Sequence, residues 1–326
     1  MEKVAVIGSN SFSGAHFVDH LLENTDYKVI GISRSPESNS IFLPYKGKEG
    51  FKFFQENIND DLSNIVNILR KEDVKKVVNF AAQGMVGQSW DNPEHWFRTN
   101  CLGIANLTNK LRKIKSFEKY VQISTPEVYG SCNEIDENTS YNPSTPYASS
   151  KAAGDMFIQN LVKQFNFPAN FVRSTNVYGP CQQLFRIIPR TIIYAKLGKK
   201  LQLQGGGKAI KSYLHVKDDC SGILKILEDT NKGEVYHLSP DSGISINNLV
   251  RKISNKIGKD FDDFSEIVDE RKGQDKEYIL NSSKARERFN WRPKVDFDKG
   301  IEQCVKWVDK NWDVIKTLPL EYIHKE

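Results

Sequence analysis

The sequence predicts a doubly wound α/β fold: a parallel sheet covered by helices on both faces, followed by a smaller C-terminal α/β lobe. Three observations predict it. Short β-branched apolar runs alternate with amphipathic stretches through the first half of the chain, the rhythm of strand–helix–strand units with right-handed crossovers. A glycine-rich turn follows the first of those runs immediately. After Gly179 the rhythm breaks into smaller pieces.

In chain order, KVAVIG (3–8) reads as a strand and GAHFVDHLLEN (14–24) as a helix. YKVIGIS (27–33) is a strand, LSNIVNILRK (62–71) a helix and KKVVNFA (75–81) a strand. NCLGIANLTNKLRK (100–113) is a helix, KYVQIST (119–125) a strand, and YASSKAAGDMFIQNLVKQF (147–165) a helix, after which ANFVRSTNVYG (169–179) ends as a strand. Beyond it, 187–205 reads as a helix and a short strand, 212–229 as a strand end and a helix, and 297–312 as a closing helix. These periodicities place a first unit over 1–179, to which 212–235 is expected to return, and a second over 180–211 and 236–326.

Bulk properties narrow the function. A chain of 326 residues suits one large or two closely joined domains. The net charge of +5 is mild and its Lys and Arg are interspersed with acids, which argues against nucleic acid and for an anionic small molecule. Five cysteines lie far apart without a CxxC pair, as in reduced cytoplasmic proteins, and their spacing suits no zinc site. No basic leader precedes the first strand and no apolar run approaches the roughly 18 residues of a membrane span, so a cytoplasmic protein without membrane contact is expected. His16 and His20 share a helix face but lack a third ligand, so no metal is expected.

GSNSFSG (8–14) has GxxGxxG spacing, with Ser11 in the middle position. Glycines allow a tight turn and close backbone approach, so a pyrophosphate can rest on the helix N-terminus. Gly8, Asn10, Ser11, Phe12, Ser13 and Gly14 are therefore candidate cofactor contacts, and the first unit is read as a Rossmann domain. The second strand ends in Ser33-Arg34 where an acid usually grips the ribose 2′-OH. A guanidinium without a neighbouring carboxylate favours a 2′-phosphate, hence NADP over NAD.

Tyr147 and Lys151 in YASSK are four residues apart at the start of a helix and so face the same way. A phenol of pKa about 10 is a poor base at neutral pH, and neighbouring cations would lower that value. ISTPEVYG (123–130) delivers Thr125 and Glu127 from a strand end, with Pro126 between them.

Together these residues resemble the extended short-chain dehydrogenase/reductase family, and within it the nucleotide-sugar 4,6-dehydratases. The resemblance runs nearly end to end, through NFAAQ (79–83), RTN (98–100), STPEVYG, TPYASSKAAGD (145–155), NVYGP (176–180), IIPR (187–190), GGGKAIKSYLHVKD (205–218) and ERKGQDKEY (270–278). It implies a homodimer that keeps its cofactor bound and converts a nucleotide-diphosphate sugar to a 4-keto-6-deoxy sugar, in deoxysugar or surface-polysaccharide synthesis. Thr125, Tyr147 and Lys151 would oxidise C4, and Glu127 would take the C5 proton. It also implies cofactor contacts from Asn57, Ile58, Phe80, Ala81, Ala82, Thr99 and Ser124. Substrate contacts would come from Gln83, Ser124, Pro126, Asn176, Arg186, Arg190, Lys211 and Arg271.

The chain departs from the family's pattern in places. Where dTDP-glucose enzymes typically carry an Asp that protonates the departing hydroxyl, Pro126 has no proton to give; protonated Glu127 could do so instead. Lys211 stands where an Arg usually grips the diphosphate, and His237 and Gln274 replace a usual Asn and His. Nucleotide-sugar decarboxylases and C4-epimerases share much of this pattern, and a non-catalytic NADP-binding sensor is the reading from another class.

Overall fold

A computed structural model describes residues 1–270 and 276–325. Its first half runs β1 (Lys3–Ile7), α1 (Phe12–Asn24), β2 (Lys28–Ser33), β3 (Phe51–Gln55), α2 (Leu62–Lys71), β4 (Lys76–Asn79), α3 (Pro93–Phe97), α4 (Ile104–Leu111), β5 (Lys119–Ile123), β6 (Cys132–Ile135), α5 (Pro146–Phe165), β7 (Ala169–Ser174) and β8 (Asn176–Tyr178). There follow α6 (Ile187–Leu197), β9 (Leu201–Gln204), β10 (Ile210–Lys211), β11 (Tyr213–His215), α7 (Val216–Glu228), β12 (Val235–Leu238), β13 (Ile244–Ser245), α8 (Ile246–Lys256), α9 (Phe261–Phe264), β14 (Ser265–Val268), β15 (Glu277–Leu280), α10 (Ser283–Phe289), α11 (Phe297–Lys310) and α12 (Trp312–Ile315).

Seven strands form one sheet in the order β3-β2-β1-β4-β5-β7-β12, and every pair in it is parallel. The central strands are buried almost throughout because both faces are covered. One core cluster packs side chains of α1 and α7 against the sheet, and another packs α2, α4 and α5 on the opposite face. The strand order reverses between β1 and β4, which opens a crevice at the carboxyl ends of the strands, where ligands of such sheets bind.

A second sheet, β13-β10-β15-β6, mixes parallel and antiparallel pairs. A third core cluster, built on α6, α8 and α11, belongs to the same end of the chain. β6 lies among the first 179 residues yet pairs with β15 of this smaller sheet. β12 gives the main sheet its last strand and runs to Leu238.

Sequence patterning did not predict β3 or β6. Among the described residues FKFFQ is an edge strand beside β2 with an interrupted burial pattern, so it lacks the continuous apolar signature. The helix expected at 100–113 is the far part of a longer one: α3 starts it at Pro93, and a π-helical turn over Arg98–Gly103 joins α3 to α4.

Candidate active site

The glycine turn closes tightly. Gly8 has φ +85°, and a Cβ there would stand 2.6 Å from the Ala81 backbone nitrogen. A Cβ on Gly14 would lie 2.2 Å from the Gly8 carbonyl oxygen, so both positions require glycine. Ser11 is the N-cap of α1: its hydroxyl accepts from the Gly14 N–H at 3.1 Å and donates to the Gly8 carbonyl at 2.7 Å. A serine at the middle position thus supports the turn while shortening by one the set of open N–H groups. What remains is a cradle of backbone at a helix N-terminus, and it fits a dinucleotide pyrophosphate.

At the end of β2, the Ser33 hydroxyl lies 3.3 Å from that of Ser9 and accepts from the Asn10 N–H at 3.0 Å. The Asn10 amide is held by the Ser35 and Pro36 carbonyls at 2.9 and 3.0 Å. The Arg34 guanidinium donates to the Lys325 carbonyl at 3.1 Å. Phe80 and Ala81 follow β4 directly against Gly8, and Ala82 is exposed. Asn57 and Ile58 sit in the turn after β3; the Asn57 amide binds Asp60, Ile58 is buried in the core, and Thr99 is reached through Asn59 at 3.0 Å. Asn57 and Ile58 are thus held by their own turn and the core.

The end of β5 supplies the next group. Thr125 caps a short 3-10 turn over Pro126–Tyr129, its hydroxyl accepting from the Glu127 N–H at 3.3 Å. Pro126 is the first residue of that turn, where an N–H has no helical partner and a fixed φ is an advantage. The proline therefore has a local structural cause. Glu127 follows, partly exposed.

Thr145 caps α5 and Pro146 opens it, which sets Tyr147 and Lys151 on one face, a turn apart. Lys151 is buried and its Nζ donates to the Ile123 carbonyl at 2.7 Å, the last residue of β5. Burial lowers its pKa to about 8, and the charge of Asp155, one turn further on, pulls it back up in part. The Tyr147 phenol is held above its ordinary value first by burial and then by the charge of Glu127; a hydrogen bond with Thr125 and the charge of Arg186 act the other way. Thr125, Glu127 and Tyr147 thus share one electrostatic environment, and Lys151 lies one turn further along α5.

Beneath them lies a buried polar network that sequence reading missed. Asp155 accepts from the Ser124 hydroxyl at 2.5 Å and from Arg173 at 3.2 Å. Arg173 also donates to the hydroxyls of Tyr129 and, at 2.6 Å, Tyr141. His237 Nε2 is 2.8 Å from the Tyr129 hydroxyl, and burial, then the charge of Arg173, lowers the His237 pKa to about 3. This His237 is a neutral structural group under the site. Removing either partner of the Asp155–Arg173 pair would strand a buried charge at a cost of about 3–5 kcal/mol. The legible signal was Asp155 itself, four residues after Lys151 on the same helix face.

The RTN motif likewise does not show what Asn100 does. Its amide accepts from the Gln83 N–H at 2.8 Å and donates to the Gln83 carbonyl and the Ser150 hydroxyl, both at 3.0 Å. A Cβ on Gly154 would stand 2.3 Å from the Asn100 carbonyl oxygen. The π turn and the glycine together let Asn100 fasten the Gln83 loop to α5.

Of the other expected substrate contacts, Arg186 is the residue before α6 and Arg190 lies in its first turn, its guanidinium 3.2 Å from Glu321. Asn176 bonds the Tyr278 hydroxyl at 3.0 Å and the Ser212 carbonyl at 3.3 Å. Lys211 is buried with its Nζ 3.6 Å from the Tyr278 ring centre, so its cation is shared with an aromatic face. Arg271 and Gln274 lie outside the described residues.

A parallel sheet with a glycine turn after its first strand, and a Tyr–Lys helix facing a Thr–x–Glu strand end, defines an extended short-chain dehydrogenase/reductase. The chain belongs to the family described as GDP-mannose 4,6 dehydratase, whose model matches residues 6–304. The dTDP-D-glucose 4,6-dehydratase of Mus musculus is 30% identical over 322 residues, covering 95% of this chain and 90% of that one. Crystals of DesIV, the dTDP-glucose 4,6-dehydratase of Streptomyces venezuelae, with NAD and TYD bound, superpose with a TM-score of 0.90 at 28% identity, over 96% of this chain and 98% of that one. UDP-glucuronic acid 4-epimerase of Bacillus cereus, in complex with UDP-glucuronic acid and NAD, follows at 0.86 and 25%, over 94% and 99%.

Proposed function

We propose that the protein is a nucleotide-sugar 4,6-dehydratase that turns a nucleotide-diphospho-hexose into its 4-keto-6-deoxy derivative. The observation carrying this reading is Glu127, two residues beyond Thr125 and electrostatically coupled to Tyr147. Oxidation at C4 alone does not need that carboxylate; elimination across C5 and C6 does.

A nicotinamide dinucleotide held at the Gly8–Gly14 turn would supply the hydride acceptor for C4 and the hydride donor for C6. Tyr147 takes the proton of the C4 hydroxyl, with Thr125 aligning that hydroxyl and the buried ammonium of Lys151 favouring the phenolate. Glu127 removes the C5 proton, made acidic by the C4 ketone. The resulting carboxylic acid gives its proton to the C6 hydroxyl, which leaves as water, so one carboxyl serves as base and then acid. The proton kept on Tyr147 since the first step balances the one that C5 takes back.

Mass spectrometry after incubation with a panel of dTDP-, UDP- and GDP-hexoses tests the reading. One sugar nucleotide should lose the mass of one water. Loss of carbon dioxide from a uronic acid, or an unchanged mass with inverted C4, would point to the decarboxylase or the epimerase instead.

The cofactor is NADP in this proposal, on the strength of Arg34 at the end of β2 with no carboxylate in the Ser33 position. Arg34→Ala is expected to weaken NADP about tenfold or more while changing NAD little, since a charge-assisted phosphate contact is lost only with the former. Titration of the cofactor-free protein measures both, and equal losses would overturn the assignment.

The protein is also proposed to be a homodimer. Leu102 in the π turn and Met156 on α5 are 57% and 45% exposed, and Phe97 joins them on the same helices. Such a cluster suits a second copy of the same surface. Light scattering at micromolar concentration should give twice the chain mass, and the chain mass alone would refute it.

A further inference from the structure

After α12 the described residues, 316–325, form no helix or strand, yet contacts hold them in place. From Leu318 to His324, alternate residues are partly buried and those between are exposed, the signature of an extended strap lying on a surface. Leu318 and Leu320 pack against the core of the C-terminal lobe. The next five residues leave that lobe and cross towards the cofactor end.

Each step of the crossing lands on a group assigned above to a ligand, or beside one. The Glu321 carboxylate meets the Arg190 guanidinium at 3.2 Å and the Tyr194 hydroxyl. The Tyr322 ring stands edge-on to Phe185 at 5.3 Å, next to Arg186. The His324 ring stacks on Trp96 at 5.1 Å and 4°, and its Nε2 is 2.9 Å from His95 Nδ1. The Lys325 carbonyl accepts from Gln83 at 2.6 Å and from Arg34 at 3.1 Å.

We infer that Glu321–Lys325 is an internal ligand of the cleft, a strap whose carboxylate at Arg190 and carbonyl at Gln83 compete with the diphosphate and sugar of the substrate. The inference rests on the proposed function for the identity of the competitor. The chemistry at the first anchor is that of exchange: an anionic oxygen already occupies the guanidinium that a diphosphate oxygen would take. At the Gln83 anchor a neutral carbonyl fills the place of a sugar hydroxyl. With Glu321 exposed, the strap is held by several modest contacts, so it can be displaced by a ligand with more charge. A protein whose competent state is only a fraction of the population binds its ligand more weakly by that fraction.

The test compares the full chain with one ending at Leu320, which keeps the packing of Leu318 and Leu320, and with Glu321→Gln in the full chain. The probes are dTDP, UDP and GDP, titrated calorimetrically. The shortened chain should bind its preferred diphosphate roughly 5- to 30-fold tighter, the population of a strap closed in about four-fifths or more of molecules. Glu321→Gln should tighten it by about 2- to 5-fold, the scale of an exposed ion pair. Equal or weaker binding by the shortened chain would overturn the inference and leave the dehydratase reading standing; weaker binding would mean that the strap clasps the substrate. No binding of any diphosphate by either chain would overturn both.

Discussion

Glu127→Gln is expected to oxidise its sugar at C4 and then stop. The amide is close in shape to the carboxylate, so Thr125, Tyr147 and Lys151 keep their positions and the first half-reaction proceeds. Gln can neither take the C5 proton nor return it to the leaving hydroxyl, and Pro126 offers no substitute. A general acid–base group contributes about 10²- to 10⁴-fold, and here one group acts in two steps. Turnover to the 4-keto-6-deoxy product should therefore fall by about 10³-fold or more, while the absorbance of reduced nicotinamide builds up under substrate. The charge of Glu127 also holds the Tyr147 phenol up, so the variant should ease the first oxidation rather than slow it. Dehydration at a near-normal rate would show that another residue, or a held water, carries the elimination.

Tyr147→Phe is expected to fail one step earlier. Without the phenol the proton acceptor proposed for the C4 hydroxyl is gone, and reduction of the cofactor in a single turnover should slow by about 10²- to 10⁴-fold. With the roles proposed for Tyr147 and Lys151, the same pair is expected to set an alkaline limit on the wild-type enzyme. Burial brings Lys151 down to about 8, so the ammonium that favours the phenolate is present below that pH and lost as pH rises through it. The rate of C4 oxidation should decline over the same interval. Asp155→Asn removes the charge that raises Lys151, so the decline should begin at lower pH in that variant. A profile that stays flat through this range in both proteins would separate Lys151 from the proton transfer.

Most of the framework was legible in the chain. The buried strands β1, β4 and β5 carry short apolar runs, and the helices between them carry one apolar face, so local pattern and tertiary position agree. Ser11 and Thr145, seen as caps only in the structure, start the two helices on which the cofactor turn and the Tyr–Lys pair depend. β3 and β6 were not legible, because one is an edge strand and the other joins a sheet completed by β15, far away in sequence. The Ser33-Arg34 pair was legible as a motif, but the contact of Arg34 with the Lys325 carbonyl was not.

What the sequence by itself determined is the set of groups that can do chemistry. Tyr147 and Lys151 fall on one helix face by spacing alone, and Thr125, Pro126 and Glu127 are consecutive at a strand end. Local geometry with a period of 3.6 or 2 residues is enough to place them. Only the tertiary structure decided how those groups are tuned and what else reaches them. Asp155 lies midway along α5, Arg173 and His237 near the ends of β7 and β12, and Tyr129 in a turn, and they meet because β7 lies between β5 and β12. Glu321 to Lys325 reach Arg190 and Arg34 across more than a hundred residues of chain. Burial and long-range proximity fix both the pKa of Lys151 and the occupancy of the cleft, and neither quantity exists until the chain has folded.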